Sequence, residues 1–195
     1  MRTALSRERF DEALITLGEL LDEAGETFDL ALIGGGALLL VGLIQRPTED
    51  LDVVARVVGD KLEGARPLPE LLQRSVLDVA GALDLPDTWL NSGPAMVFRK
   101  GLPDGFLERA ETRRYGALTI RIASRVDQIA LKLDASADTR LPRNRHIQDL
   151  EQLNPSGSEL LAARRWCAGH RSREEMGAVD ETMTRLLMGG GDDWR

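Results

Sequence analysis

The sequence predicts an α/β (α+β) fold that is followed by a helical C-terminal region. Residues 28–58 contain in succession a strand, a glycine turn, a short helix and a second strand, and a further strand is predicted at 118–122. After residue 123, apolar residues recur at helical spacing. The 195 residues, 43% of them hydrophobic, suffice for one compact domain with a small appendage. We therefore predict a core domain over 1–123 and a helical region over 124–195.

The elements of the first 60 residues follow from apolar spacing and turn signals. Apolar residues from Phe10 to Leu21 share one helical face, and Ser6 can cap the start of that helix. The mostly apolar run 28–33 is stopped by the glycines 34–36. The run 50–58, which is rich in β-branched residues, follows a charged turn at 45–49. The predicted elements are a helix over 7–24, a strand over 28–33, a short buried helix over 37–44 and a strand over 50–58.

The later elements are predicted in the same way. Leu72, Val76, Val79 and Leu83 repeat at helical spacing between two prolines and Pro86. The segment 89–116 is rich in glycine, proline and charge, with one short strand predicted at 95–98. The remaining predicted elements are the strand at 118–122 and helices that begin at Ser124, Asn144, Ser158 and Glu174, the last running to Met188.

Charge and composition exclude several classes of protein. The net charge of −7 argues against bulk electrostatic coating of nucleic acid, although 104–173 holds 13 basic against 9 acidic residues. The single cysteine, Cys167, excludes an intrachain disulfide and a cysteine zinc cluster. The chain shows neither a signal-peptide pattern nor an apolar run long enough for a bilayer. We expect a cytoplasmic protein with no membrane segment.

The glycine turn and the second strand carry the residues best suited to chemistry. Gly34, Gly35 and Gly36 let an anion approach the backbone closely, so phosphates would fit there. Asp50 and Asp52 alternate with Leu51 on the strand and therefore share one face, where they can hold a divalent cation or bracket two. Such a metal pair stabilises both oxygens of an in-line nucleotidyl displacement.

Each of these features has an ordinary structural explanation when taken alone. Glycine triplets form turns, and D-x-D occurs on solvated strand edges. A turn with a purely structural role does not, however, require a glycine triplet and D-x-D together. A dinucleotide fingerprint fails because Leu39 stands at its third glycine, and the Gly-Lys-Ser/Thr of a P-loop is absent. Arg46 and Thr48 precede the acids, and the Thr48 hydroxyl can bind a phosphate or cap the turn.

The pattern G-G-x-A, then G-x-x-x-R-x-T-x-D-x-D, runs from Gly34 to Asp52. It resembles the DNA polymerase β-type nucleotidyltransferase superfamily. With the stretch 126–153, it is similar to the AbiEii-like nucleotidyltransferase toxins of bacterial toxin–antitoxin systems. The resemblance covers roughly residues 28–153 and implies a nucleotidyltransferase fold, with a small mixed sheet flanked by helices and a C-terminal region that closes the cleft. It places the subfamily's lysine at Lys132 and its later aspartate at Asp149. The ordinary structural alternative for both residues is a position on a solvated helix face.

The resemblance implies a Mg²⁺-dependent (or Mn²⁺-dependent) enzyme that transfers NMP from an NTP to a tRNA 3′ end, as a growth-inhibiting toxin controlled by an antitoxin protein. In this scheme Asp50 and Asp52 hold the metal. The glycine turn, Arg46, Thr48 and Lys132 bind the nucleotide. Asp149 deprotonates the acceptor or completes the metal site.

Nothing in the residues distinguishes RNA from a protein or small-molecule acceptor, and arginines between 109 and 145 are the candidates for an RNA contact. The predicted strands 95–98 and 118–122 lack the superfamily's third carboxylate. A non-catalytic nucleotide-binding or antitoxin-like module on the same fold is therefore the alternative.

Overall fold

A computed structural model describes residues 4–137 and 145–189 of the chain. The chain divides into two compact units, Met1–Ser124 and Arg125–Arg195, which we call the N-terminal unit and the C-terminal unit. The N-terminal unit is mixed α/β and the C-terminal unit is helical. The predicted α/β class with a helical C-terminal region is thus confirmed. The predicted boundary, between residues 123 and 124, lies one residue before the division.

The N-terminal unit is built on a mixed sheet with the strand order β3-β2-β1-β6-β5, in which β4 also pairs with β2. Its strands are β1 (Phe28–Ile33), β2 (Leu51–Val58), β3 (Lys61–Gly64), β4 (Leu90–Asn91), β5 (Glu111–Tyr115) and β6 (Leu118–Ile122). Its helices are α1 (Arg7–Glu23), α2 (Gly34–Leu40), α3 (Glu70–Leu83), α4 (Ala95–Lys100) and α5 (Phe106–Arg109). β1 runs antiparallel to β2 and parallel to β6, so the sheet is mixed.

The central strands and α1 form the core of this unit. Leu30, Leu32 and Ile120 on β1 and β6 are fully buried. One face of α1 packs into the same core, as its apolar spacing predicts, with Phe10 fully buried. The Ser6 side chain accepts a hydrogen bond from the backbone N–H of Arg9, so the predicted N-cap is confirmed.

Three local predictions differ from the structure. The segment predicted as a strand at 95–98 is helix α4, which begins directly after Pro94, a residue whose φ of −73° is already helical. The polar strands β3 and β5 were not predicted, because they are the outer strands of the sheet order and lack a buried alternating pattern. The glycines do not precede α2 but form its first turn, and α2 ends at Leu40.

The C-terminal unit consists of helices in the residues that the structure describes. They are α6 (Arg125–Ser136), α7 (Arg145–Leu153), α8 (Gly157–Ala168) and α9 (Arg173–Gly189). Helix α6 packs against the other three, and Ile129 and Leu133 are fully buried. The cap of α8 is Ser156, two residues before the predicted start, in a capping box with Glu159. The predicted cap Asn144 lies outside the described residues.

Candidate functional site

The register of two strands brings the predicted acids beside the predicted glycines. β1 and β2 are antiparallel, and Asp52 pairs with Ile33, the last residue of β1. Gly34 follows Ile33 directly and begins α2. The chain therefore returns past its own glycine turn when it enters β2, and Asp50 and Asp52 lie partly exposed at that point.

Gly34 makes room for the Asp52 carboxylate. A Cβ atom at Gly34 would stand 2.6 Å from Asp52 Oδ2, which is closer than nonbonded atoms approach. The backbone at Gly34 has a φ of +86°, a conformation that side-chain-bearing residues rarely adopt. Both observations require glycine here, the first because of the Asp52 carboxylate and the second because of the backbone conformation.

The next two glycines contact the rest of the motif. A Cβ at Gly35 would lie 3.2 Å from both the guanidinium of Arg46 and the hydroxyl of Thr48. A Cβ at Gly36 would lie 2.6 Å from Leu51 Cδ2 and still closer to the backbone carbonyl oxygen of Asp50. The glycine turn and the R-x-T-x-D-x-D segment therefore pack directly on each other.

The segment that carries Arg46 and Thr48 is held by the N-terminal end of the described chain. The backbone N–H of Leu5 donates to the carbonyl of Thr48 at 2.7 Å, and the N–H of Thr48 donates to the carbonyl of Leu5 at 3.2 Å. Thr48 is buried as a result. The structure thus brings together seven predicted site residues in the N-terminal unit, namely Gly34, Gly35, Gly36, Arg46, Thr48, Asp50 and Asp52.

Asn91 joins this group, although the sequence analysis did not identify it. Its side-chain amide donates a hydrogen bond to Asp50 Oδ2 at 3.0 Å, and its backbone pairs with Asp52 where β4 meets β2. Its side-chain oxygen accepts a hydrogen bond from Gly93 N at 2.7 Å, which forms an Asx-type turn. The sequence Asn-Ser-Gly-Pro signals that turn, but no local pattern signals the contact with Asp50, which lies 41 residues away.

The donor atoms at this group suit one kind of metal. Two carboxylates are hard oxygen ligands, and Mg²⁺ is commonly bound by one or two carboxylates together with substrate phosphates and water. Among residues 4–137 and 145–189, no group of three or more His, Cys, Asp or Glu side chains is arranged to hold a metal ion. Asp50 and Asp52 offer two hard oxygen ligands, the kind that Mg²⁺ or Mn²⁺ takes from a protein.

Comparison with known proteins adds no relative from which a role could be transferred. No family model, curated protein or solved structure matches this chain. In the part of the chain that the structure describes, no helix is long and apolar enough to cross a membrane.

Lys132 and Asp149, the other two predicted site residues, lie in the C-terminal unit and contact each other. Lys132 Nζ donates to Asp149 Oδ2 at 2.5 Å, which links α6 to α7. Lys132 is only 6% exposed and Asp149 is fully buried. This contact gives the pair a clear structural role, because two buried opposite charges satisfy each other. The nucleotide-binding and catalytic roles expected for them stay predictions.

A second buried ionic group in this unit was not predicted. The Asp134 carboxylate near the end of α6 accepts hydrogen bonds from His170 Nε2, at 2.9 Å, and from Arg171 Nε. Arg171 also donates to the Asp134 carbonyl at 2.6 Å. Burial, with Asp134 nearby, raises the pKa of the Cys167 thiol to about 12, so this cysteine is a weak nucleophile at neutral pH.

Several arginines considered for an RNA contact are engaged within their own units. Arg121 makes a bidentate ion pair with Asp29, its closest contact being 2.7 Å, and Arg125 pairs with Glu159 at 2.9 Å. The remaining arginines of this set differ in their contacts and exposure. Arg109 donates to the Asp104 carbonyl, Arg113 pairs with Glu111, Arg114 and Arg145 are exposed, and Arg140 and Arg143 lie outside the described residues.

Proposed function

We propose that this chain is a metal-dependent nucleotidyltransferase, with a nucleotidyltransferase fold in its N-terminal unit, which transfers NMP from an NTP to an acceptor hydroxyl. The observation that carries the proposal is the packing of Gly34–Gly36 on the segment that contains Asp50 and Asp52. This packing puts the start of α2, where Gly34 is partly exposed and Gly35 and Gly36 are buried, next to two carboxylates that can hold a divalent cation. Each feature alone has a structural explanation, but a turn with only a structural role does not require both together.

Each residue of the group has a role in this proposal. Asp50 and Asp52 would hold Mg²⁺ or Mn²⁺, which when bound supplies positive charge to stabilise the phosphates during transfer. Asn91 orients Asp50, as outer hydrogen-bond partners of metal ligands commonly do. Arg46 and Thr48, which lie over Gly35, supply a cation and a hydroxyl for the phosphate oxygens.

The proposed transfer forms a bond between the acceptor oxygen and the α-phosphorus of the NTP. The bond between that phosphorus and the bridging oxygen breaks, and pyrophosphate leaves with the electron pair. The acceptor proton passes to a base, for which the family resemblance predicts Asp149. Because the carboxylate of Asp149 is buried against Lys132, both residues must separate from each other before they can contact a substrate.

For the acceptor we propose a tRNA 3′ end, and for the biological role a growth-inhibiting toxin with a cognate antitoxin protein. The resemblance supports both, and the excess of basic residues in 104–173 supports an RNA contact. Arg114 is the sharpest candidate to test, because its side chain is exposed and makes no hydrogen bond or ion pair to the residues that the structure describes.

The first test is ligand-dependent thermal stability. Mg²⁺ with an NTP should raise the melting temperature of the wild-type chain. A ligand that binds only the folded state raises the free energy of unfolding by about 2.7 kcal/mol at 100 times its Kd. The double variant Asp50→Asn/Asp52→Asn should show no shift. The matched control is Asp60→Asn/Asp78→Asn, which removes the same charge from exposed positions of the same unit. An equal shift in both double variants would refute the proposed metal site.

The second test identifies the acceptor. The chain is incubated with bulk tRNA, Mg²⁺ and each labelled NTP in turn, and the RNA and protein fractions are separated. Label on RNA that Asp52→Ala abolishes and Arg114→Ala reduces would support the tRNA proposal. Label on protein would support a protein-modifying enzyme instead. Arrested growth of bacteria that express the wild type but not Asp52→Ala would support the toxin role.

The second candidate function is a nucleotide-binding module without catalysis, such as an antitoxin-like protein. The observation that favours it is the lack of a third acidic ligand beside Asp50 and Asp52 among the described residues. This candidate predicts the same thermal shift with Mg²⁺ and NTP, but no label on any acceptor and no release of pyrophosphate. Pyrophosphate release at a rate that depends on Asp52 would exclude it.

A further inference from the structure

A cavity of about 310 Å³ lies in the N-terminal unit between α3 and the segment 87–92. Its volume is at the lower end of the range typical of small-molecule sites, about 300–1,000 Å³. Val76, Leu77 and Leu90 supply an apolar surface within it. The remaining lining includes side chains that can donate or accept hydrogen bonds, and these are Arg66, Gln73, Asp87, Thr88, Asn91 and Ser92.

Asn91 connects this cavity to the candidate active site. The same side chain that lines the cavity donates to Asp50 Oδ2 at 3.0 Å. The backbone of Asn91 pairs with Asp52, and the preceding residue, Leu90, pairs with Leu51. A molecule in the cavity would therefore lie one side chain away from the proposed metal ligands.

The two walls of the cavity are tied together by Trp89. This residue is fully buried, and its indole N–H donates to the carbonyl of Val76 on α3 at 3.0 Å. Its own carbonyl accepts from the backbone N–H of Leu51, at the start of β2, at 2.7 Å. The cavity is thus preformed, which lowers the entropy lost when a ligand is ordered in it.

The lining restricts the chemistry of the ligand. Arg66 and Asp87 are its one basic and one acidic residue, so the lining has no net charge and does not select a polyanion. Amide and hydroxyl groups together with an apolar wall suit a neutral, flat ring that carries polar edges and hydroxyls. A nucleoside has these properties.

We infer that this cavity binds a nucleoside, the base and sugar either of the NTP or of the acceptor's terminal nucleotide. The choice of a nucleoside rests on the proposed nucleotidyl transfer, whereas the existence of the site rests on the cavity and on Asn91. An occupied cavity would place one substrate against the side chain that orients Asp50. It would therefore act as the specificity subsite of the reaction.

The experiment measures the binding of adenosine, guanosine, cytidine and uridine by calorimetry, without metal. At least one should bind saturably to the wild type and equally well to Asp60→Asn/Asp78→Asn, whose changes lie outside the cavity lining. Gln73→Trp, an exposed lining position, should weaken binding at least about tenfold. The control Asp78→Trp, an exposed position on the same helix that does not line the cavity, should bind as the wild type does.

A second variant and two further measurements complete the test. Thr88→Trp blocks the cavity from the opposite wall and should have the same effect as Gln73→Trp. If either variant also loses the thermal shift with Mg²⁺ and NTP, the nucleoside belongs to the NTP. If that shift is kept and acceptor labelling falls, it belongs to the acceptor.

Two outcomes would overturn the inference: no saturable binding of any nucleoside to the wild type, or binding that Gln73→Trp and Thr88→Trp leave unchanged. Failure of the proposed function would look different. It would remove the carboxylate-dependent response to Mg²⁺ and NTP while nucleoside binding persisted.

Discussion

Asn91 fixes the direction of the Asp50 carboxylate. The amide nitrogen of Asn91 donates to Asp50 Oδ2 at 3.0 Å, while its oxygen accepts from the backbone N–H of Gly93 at 2.7 Å. Because the oxygen is occupied by a backbone donor, the nitrogen must face the carboxylate. One residue therefore couples a turn, an acid and the edge of β2.

Replacing Asn91 should weaken metal-dependent binding more than it weakens the fold. Asn91→Ala removes these two hydrogen bonds and a third, from the same amide to the Thr88 carbonyl at 3.4 Å. We expect an affinity for Mg²⁺ with NTP that is lower by about 10- to 100-fold, as for other outer partners of metal ligands. The free energy of unfolding should fall by only about 1 kcal/mol. Titration calorimetry and urea denaturation measure the two effects. Asp78→Ala, an exposed control position on α3 outside the cavity lining, should change neither, and an unaltered affinity in Asn91→Ala would contradict the role given to Asn91.

Gly36 should tolerate no side chain. In Gly36→Ala the new Cβ would meet Leu51 Cδ2 at 2.6 Å and the Asp50 carbonyl still more closely, so the packing of α2 on β2 must shift. We expect a loss of about 1–3 kcal/mol in urea denaturation, together with loss of the thermal shift with Mg²⁺ and NTP.

Gly81 provides the matched control for Gly36. It also lies in a helix of the N-terminal unit, but a Cβ there would meet no atom within 4 Å. Gly81→Ala should therefore stabilise the chain by about 0.5–1 kcal/mol, the usual helix-propensity gain. If both variants behaved alike, the packing described for Gly36 would be wrong.

Lys132 and Asp149 should depend strongly on each other for stability. Lys132→Met leaves the fully buried Asp149 carboxylate without its counter-charge, which should cost about 3–5 kcal/mol. Lys132→Met/Asp149→Leu should recover most of this loss, because an apolar pair avoids desolvating two charges. Denaturant unfolding of both single variants and the double variant gives the coupling energy.

An exposed pair in the same unit controls for this effect. Arg185 and Glu151 are 2.7 Å apart but 61% and 46% exposed, so Arg185→Met should cost less than about 1 kcal/mol of the free energy of unfolding.

The stable double variant Lys132→Met/Asp149→Leu also tests the catalytic roles expected from the family resemblance. Full transferase activity in that variant would show that neither residue acts in catalysis.

Tyr115 should make stability fall at alkaline pH. Its hydroxyl donates to Asp11 Oδ1 at 2.8 Å, and burial together with Asp11 raises the pKa of Tyr115 to about 12, although Arg113 acts in the opposite direction. The folded state keeps this proton at pH values where the unfolded state, with a pKa of about 10, loses it. The stabilisation is therefore complete below about pH 10 and is lost as the pH rises toward 12.

The 295 nm absorbance of the chain's single tyrosine measures this titration directly. We expect a midpoint near 12 in the folded protein and near 10 in urea, and Tyr115→Phe should flatten the decline in stability. The buried thiol of Cys167, whose pKa is also about 12, contributes in the same direction. Cys167→Ala separates the two contributions. A midpoint near 10 without urea would contradict the Asp11 contact.

The elements that the sequence predicts best are those with a complete local signal. β1 and β6 have the predicted bounds because β1 is a mostly apolar run that ends at the glycines and β6 alternates apolar with polar residues, and α1 begins after its predicted Ser6 cap. The pattern of residues 95–98 predicts a strand only weakly, because four apolar residues do not distinguish a strand from a helical turn. The preceding Pro94 decides for the helix.

The candidate site divides in a similar way. The glycines, Arg46, Thr48 and the two acids could be predicted together, because they occupy a stretch of 19 residues, Gly34 to Asp52, that folds back on itself. Asn91 could not be predicted, because its contact with Asp50 spans 41 residues and depends on β4 pairing with β2. The contact between Lys132 and Asp149 likewise depends on the packing of α6 on α7.

The sequence by itself determined the strands β1 and β6, the helix α1, the helical C-terminal region and the set of residues around the glycine turn, since backbone preference and apolar period act over a few neighbours. Only the tertiary structure decided which polar groups meet. The outer strands β3 and β5, the hydrogen bond from Asn91, the cavity beside it and the buried pair of Lys132 with Asp149 all require distant segments to pack. These contacts are stabilised by burial and by the pairing of polar groups, which local sequence patterns do not predict.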